Sequence, residues 1–197
     1  MNIKIMIASK LENIPREKIS RIFSEGFGHW LTFFSKDIKV LTKAFSHMFL
    51  LEEFYIAIVD GEIAGITACT NGKSAPVKFD KKELKKHFGF VKGTIAGKLL
   101  KSYLSERSYP FSLSDNTGSI EYVAVSEKFR RQGIAETLIQ HIIENTSYQN
   151  YVLDVADTNF GAVKLYKKLG FSEIHKVKEK HPKQSGFNYL LYMKYSK

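Results

Sequence analysis

Residues Val125 to Ala135 read V-S-E-K-F-R-R-Q-G-I-A, a stretch where residue type and spacing together specify a chemistry. An apolar segment, Ser119 to Val125, ends there. A basic turn containing Gly133 follows, and Ile134, Leu138 and Ile142 then recur at helical spacing. The turn therefore caps a helix. A helix start carries backbone N–H groups without intrahelical acceptors and roughly half a positive charge from the macrodipole, so an anion docked there satisfies both. Gly133 has no side chain and Ala135 only a methyl group, which permits close backbone approach. The stretch predicts a cradle for a ligand carrying phosphates.

Other chemistries find little support. His29, His47, His87, His141, His175 and His181 show no metal-ligand spacing among themselves or with Cys69, so no metal site is expected. No serine sits in a Gly-x-Ser-x-Gly elbow, which argues against a hydrolase triad. Cys69, the single cysteine, excludes an internal disulfide and lies in an apolar run, where an inert buried thiol is expected. Gly72-Lys73-Ser74 matches the end of a nucleotide-binding P-loop, but the glycine needed five positions earlier is Thr67.

The elements that must position the cradle are mixed. Ile3, Ile5 and Ile7 alternate as a first strand, and Pro15 opens a helix with Ile19, Ile22 and Phe23 inward. Gly26 and Gly28 are expected to break it around Phe27, His29 and Trp30. A second helix is expected from Asp37 to Leu51, with Val40, Leu41, Phe45 and Met48 inward. Trp30, Phe33 and Phe34, crowded beside the glycines, are candidate substrate-pocket residues as well as core. Phe54–Val59 and Glu62–Thr70, joined by Asp60-Gly61, predict a hairpin, because that pair supplies the positive φ values a tight turn needs.

Residues 76–118 read as a lysine-rich insertion with helices over Asp80–Phe88 and Thr94–Glu106, the second with Ile95, Leu99 and Tyr103 on one side and Gly89 stopping the first. Past the cradle, a helix from Arg130 to Asn145 leads to Tyr151–Ala156, apolar enough for a central strand. Thr158 or Asn159 then caps a helix with Ala162, Leu165 and Leu169 packing and Gly170 as its stop. Strands Phe171–Val177 and Asn188–Tyr195 flank the basic loop Lys178–Gly186. The whole chain of 197 residues is read as one α/β domain carrying that insertion.

The composition, 44% hydrophobic and 13% aromatic, is that of a folded chain. No apolar run reaches the length of a membrane span and the N-terminus has no secretion-type apolar core, so a cytoplasmic location without membrane attachment is expected. The net charge of +10 is concentrated beyond residue 75 and favours anionic partners, nucleic acid, acidic surfaces and phosphorylated cofactors alike.

Two motifs, in order and on the expected elements, resemble the GCN5-related N-acetyltransferase (GNAT) superfamily. The first is Arg130-x-x-Gly133-x-Ala135 directly after the strand Ile120–Val125. The second is Asn159-x-x-Ala162-x-x-Leu165-Tyr166-x-x-Leu169-Gly170-Phe171. The resemblance implies a strongly twisted mixed sheet of about seven strands flanked by helices, splayed between Ser119–Val125 and Tyr151–Ala156, with acetyl-CoA in the wedge. It implies that backbone groups of Val123 and Val125 pair with the pantetheine arm. The N–H groups of Arg131, Gln132, Gly133, Ile134 and Ala135 would hold the pyrophosphate, with Asn159 opposite. One of Arg130 and Arg131 is expected to lend charge to the phosphates, and the sequence does not choose between them.

An amine near neutral pH is mostly protonated, so transfer to it needs a base. Glu121 is the candidate, since strand parity with Val123 and Val125 would turn it toward the cleft, although the family's base varies in position. Tyr166 stands where the family often has the acid that quenches the departing thiolate. The expected activity is acetyl transfer from acetyl-CoA to a primary amine of a small molecule or peptide, by direct attack in a ternary complex. A non-catalytic CoA-binding or regulatory module is the alternative. Nucleic-acid binding ranks last, because the basic block lacks stacking aromatics. A two-fold homodimer is the default assembly.

Overall fold

The computed structural model describes residues 2–13, 16–101, 104 and 108–197. Pro15, Tyr103 and Glu106, to which the sequence assigns helix roles, lie outside the described residues.

Seven strands form one sheet in the order β1-β2-β3-β4-β5-β7-β6. They are β1 (Ile3–Ile7), β2 (Phe54–Val59), β3 (Glu62–Thr70), β4 (Thr117–Val125), β5 (Asn150–Ala156), β6 (Ser172–Lys178) and β7 (Tyr189–Ser196). Every neighbouring pair is antiparallel except β4 and β5, which run parallel. The β2–β3 hairpin turns on Asp60 at φ 50° and Gly61 at φ 79°, the conformation the Asp-Gly pair predicts.

Helices cover both faces. On one lie α1 (Arg16–Leu31), α2 (Ile38–Phe45), α3 (Lys81–Phe88) and α4 (Phe90–Leu100); on the other lie α5 (Ile134–Asn145) and α6 (Phe160–Lys168), and the single turn α7 (Pro182–Ser185) stands in the β6–β7 connection. The α1 face is the larger core. Ile19, Phe23, Phe45, Phe49, Phe54 and Ile66 are buried there together with Leu84, Ala96 and Leu100 of residues 76–118. The α5 face buries Ala57, Ala64, Ile134 and Leu138. No described helix is long and apolar enough to cross a membrane.

Several expectations are corrected. Helix α1 runs unbroken through Gly26 and Gly28. A Cβ on Gly26 would lie 2.8 Å from the Ala124 Cβ, so this glycine marks where α1 presses on β4 and not a break. Helix α2 ends at Phe45, because Phe49 turns away to bridge Val77. In α4 the buried face is Gly93, Ala96, Gly97 and Leu100, while Ile95 is exposed. Gly93 sets that phase: a Cβ there would meet the Lys85 Cα at 2.5 Å, so α4 packs on α3 through its small residues. Helix α5 begins at Ile134, not Arg130, which leaves the basic residues in an irregular turn.

Candidate active site

Strands β4 and β5 pair at only three positions, Thr117 with Asn150, Gly118 with Tyr151 and Ser119 with Val152. Beyond these rungs β4 stays with β3 as far as Val125, and β5 stays with β7 as far as Ala156. The sheet therefore opens as a wedge between Ile120–Val125 and Leu153–Ala156. The facing strand edges have backbone groups that no described strand pairs, the arrangement that accepts an extended polar chain.

Both helices that follow these strands begin at the open end. At α5, Arg130 is extended, Arg131 has φ 61° and Gly133 has φ 81°. The first intrahelical bond runs from Thr137 N to Gly133 O at 2.9 Å, so the N–H groups of the preceding turn have no acceptor within the helix. A Cβ on Gly133 would meet nothing within 4 Å, so the approach to these groups is open. Ile134 anchors the start. It is buried, and Gly65 of β3 makes room for it, since a Cβ there would stand 2.8 Å from Ile134 Cγ2. At α6, Asn159 is the cap, with Oδ1 accepting from Ala162 N at 3.2 Å.

The side chains of the turn divide their work. Arg130 donates to the carbonyls of Val125 and Glu25 at 3.4 and 3.5 Å, and Gln132 donates to the Lys128 carbonyl at 3.2 Å. Both brace the turn. Arg131 is exposed. Glu136, an anion in the first turn of α5, is matched by Lys168, whose Nζ lies 2.7 Å from both its oxygens.

Glu121 lies at the closed end of the wedge. Its Oε1 accepts from Thr70 Oγ1 at 3.1 Å and from Ser119 Oγ at 3.0 Å, and Tyr109 Oη lies 2.6 Å from Ser119 Oγ. With Asp154 of β5, Tyr109, Leu104, Gly72, Ser74 and Ala75 it lines one cavity. Glu121 does not share the face of Val123 and Val125 that strand alternation predicts. Tyr122 takes φ 54°, and the pairing with β3 slips between Ile66 and Ala68, a β-bulge that turns Glu121 to the face of Ala68 and Ala124. Val123 and Val125 pack on the opposite side, among the residues beneath α5 and α6. The Tyr122 ring is thereby directed into the α1 core, 5.8 Å from Phe23 and 6.2 Å from Phe54.

Tyr166 projects from α6 into the core beside Phe171, with ring centroids 6.1 Å apart. Burial pushes its phenol up, and the Asp154 carboxylate adds to the effect. Asp154 thus stands near Tyr166 and shares a cavity with Glu121. Cys69, on the strand beside Glu121, is pushed up to about 12 by burial, then by Glu121 and Glu53, so it stays a neutral thiol.

With this geometry in hand, the sequence model described as the Acetyltransferase (GNAT) family matches residues 29–171, from the end of α1 through both motifs. The chain belongs to the GNAT acetyltransferase family. Solved structures share its fold. An N-acetyltransferase from Staphylococcus aureus Mu50 superposes with a TM-score of 0.62 at 17% identity, covering 98% of this chain and 100% of that one. A GNAT family acetyltransferase from Elizabethkingia anophelis, with acetyl-CoA bound, gives 0.54 at 17% identity over 100% and 99%. The ribosomal-protein-S18-alanine N-acetyltransferase of Escherichia coli gives 0.56 at 14% identity over 99% and 94%. No curated protein matches the chain.

The GNAT wedge thus gathers the backbone of Val123 and Val125, the turn Arg130–Ala135 and Asn159 around one opening. Of the three candidate pocket aromatics, Phe33 and Phe34 meet edge to face at 5.3 Å and Trp30 packs elsewhere. Phe34 is core, stacked 5.8 Å from Phe88; Phe33 is 61% exposed; Trp30 lies parallel to Phe187 of the β6–β7 connection at 5.1 Å. Sequence reasoning missed Asp154, Thr70, Ser119 and Tyr109. Asp154 had a signal, as the carboxylate inside the otherwise apolar strand Tyr151–Ala156, whereas the three hydroxyls meet only through tertiary pairing.

Proposed function

We propose that this GNAT chain transfers the acetyl group of acetyl-CoA to a primary amine by direct attack in a ternary complex. The observation that carries the reading is the parting of β4 and β5 beyond Ser119 and Val152, with a helix start at the open end of each strand. One opening then offers two strand edges for an extended arm and N–H groups for phosphates. The open approach at Gly133 fits a pyrophosphate held by the N–H groups of Arg131 to Ala135. Arg131 is the arginine that lends charge, because Arg130 is engaged with Val125 and Glu25. The backbone of Val123 and Val125 pairs with the pantetheine arm, and Asn159 closes the other side. That the Elizabethkingia neighbour has acetyl-CoA bound supports the choice of cofactor.

Bound acetyl-CoA supplies an activated thioester. Glu121 takes a proton from the acceptor ammonium, and the freed nitrogen lone pair attacks the acetyl carbon. A backbone N–H near Val123 stabilises the charge that develops on the carbonyl oxygen. As the C–N bond forms and the C–S bond breaks, Tyr166 donates its proton to the departing sulfur. The second ammonium proton restores the phenol and the one held by Glu121 leaves to solvent, so the products are the N-acetyl amine, free CoA thiol and one proton. We read residues 1–197 as one acetyltransferase domain, with 76–118 an insertion that adds α3, α4 and Tyr109 to the α1 side of the wedge.

Initial rates measured against both acetyl-CoA and amine test the mechanism. Direct attack gives intersecting double-reciprocal lines, whereas parallel lines would show an acetyl-enzyme and overturn it.

A further inference from the structure

Tyr109, in the connection between α4 and β4, reaches the Glu121 carboxylate through a single hydroxyl. A serine hydroxyl has one proton, and that of Ser119 is donated to Glu121 Oε1 at 3.0 Å. Tyr109 must therefore be the donor in its 2.6 Å bond to Ser119 Oγ. On the other side, Gly72 N–H donates to Thr70 Oγ1 at 3.0 Å, and Thr70 donates to the same Oε1 at 3.1 Å. The direction of every proton in the chain is thus fixed. Thr70 and Ser119 face each other in register across β3 and β4, so one rung of the sheet holds both donors. Both are buried. The Tyr109 ring is held in turn by Phe111 at 5.5 Å and Tyr192 at 5.8 Å.

We propose that Tyr109 is a positioning residue for Glu121, acting through Ser119 to hold the carboxylate in place as the base. The inference rests on the reading of Glu121 as the base. Two donors, Thr70 and Ser119, meet at Oε1 and hold the carboxylate from one side. The Tyr109 bond polarises Ser119 and strengthens its donation to the charged carboxylate. Among the described residues of 76–118, Tyr109 thereby reaches the Glu121 carboxylate through Ser119.

Among the described residues, Cys69 on β3, Asp154 on β5 and Tyr109 itself are titratable groups beside Glu121, with Glu53 acting on Cys69 from the residue before β2. Cys69 stays neutral through the working pH range, and Asp154 is common to all variants below.

The test is a carbon-13 NMR titration of the Glu121 side-chain carboxyl in the free enzyme, its resonance assigned by its loss in Glu121→Gln. Removing a donor to a carboxylate favours the protonated form. Tyr109→Phe is expected to move the titration to higher pH, raising proton affinity about threefold or more, and Ser119→Ala to move it further the same way. Because Tyr109 acts through Ser119, the double variant should match Ser119→Ala. An unmoved titration in Tyr109→Phe, or a double variant displaced by the sum of both effects, overturns the proposal. Thiol release from acetyl-CoA with glucosamine, an amino-acid amide and a tripeptide separates the two readings. If Glu121→Gln keeps the wild-type rate, the base reading fails and the positioning role falls with it. If Glu121→Gln is inactive while Tyr109→Phe titrates as wild type, the Tyr109 role alone fails.

Discussion

Ser119 of β4 and Val152 of β5 are the last residues of the two parallel strands to face each other in register. From that rung outward the strands keep their other neighbours and lose each other. The rung also carries chemistry, since Ser119 Oγ donates to Glu121 at the apex of the opening. One position thus ends the central pairing and holds the candidate base.

Gly133→Asp tests the phosphate cradle. The new side chain would sit at φ 81°, a conformation strained for L residues, and would place a negative charge where an anion docks. We expect the Kd for CoA, measured by calorimetry, to rise more than about 100-fold. The melting temperature should change by only a few degrees, because nothing packs against this position. Unchanged affinity would remove the cradle from the account.

Tyr166→Phe keeps the ring packing and removes the proton. A kcat lowered roughly 10- to 100-fold, with CoA affinity held within about twofold, is the expected outcome. Because burial raises the phenol, the wild-type rate should show no Tyr166-dependent alkaline fall below about pH 10. A fully active variant would return Tyr166 to a packing role.

His47 links stability to pH. Its Nε2 accepts from Asp80 N at 2.9 Å, and burial lowers the ring from its ordinary 6.5 in spite of nearby Glu83 and Asp80. Below pH 6.5 the unfolded chain binds a proton that the folded one resists, so stability present above that pH is lost as pH falls. Thermal unfolding between pH 7.5 and 5 should therefore cost the wild type more than His47→Gln. Parallel losses in the two proteins would contradict the assignment.

Gly26 and Gly28 lie two residues apart in α1 and should respond with opposite signs. A methyl on Gly26 overlaps the Ala124 Cβ at 2.8 Å, whereas Gly28 has nothing within 4 Å. Gly26→Ala should destabilise by about 1–3 kcal/mol. Gly28→Ala should stabilise by about 0.5–1 kcal/mol through helix propensity. Denaturant melts that shift both variants the same way would refute this packing of α1 on β4.

The sequence carried the local features and obscured the long-range ones. Asp60-Gly61, the Gly133 turn and the Asn159 cap are encoded in a few adjacent residues, and each stands where the spacing places it. The bulge at Tyr122 is different. Nothing in I-E-Y-V-A-V announces the extra residue, and it reverses the face on which Glu121 is read. Gly26 was misread for a related reason, because a glycine that ends a helix and one that lets a helix touch a strand look alike in one dimension. The hydroxyls of Thr70, Ser119 and Tyr109 converge only once β3, β4 and the α4–β4 connection are assembled.

The most direct test of acetyl transfer in the wedge is thiol release from acetyl-CoA across a panel of primary amines, comparing the wild type with Glu121→Gln. The account predicts CoA thiol released only when an accepted amine is present, in equal amount to the N-acetyl product, and a rate lowered at least about 100-fold in Glu121→Gln. Tight CoA binding with no amine-dependent release from any member of the panel would contradict it.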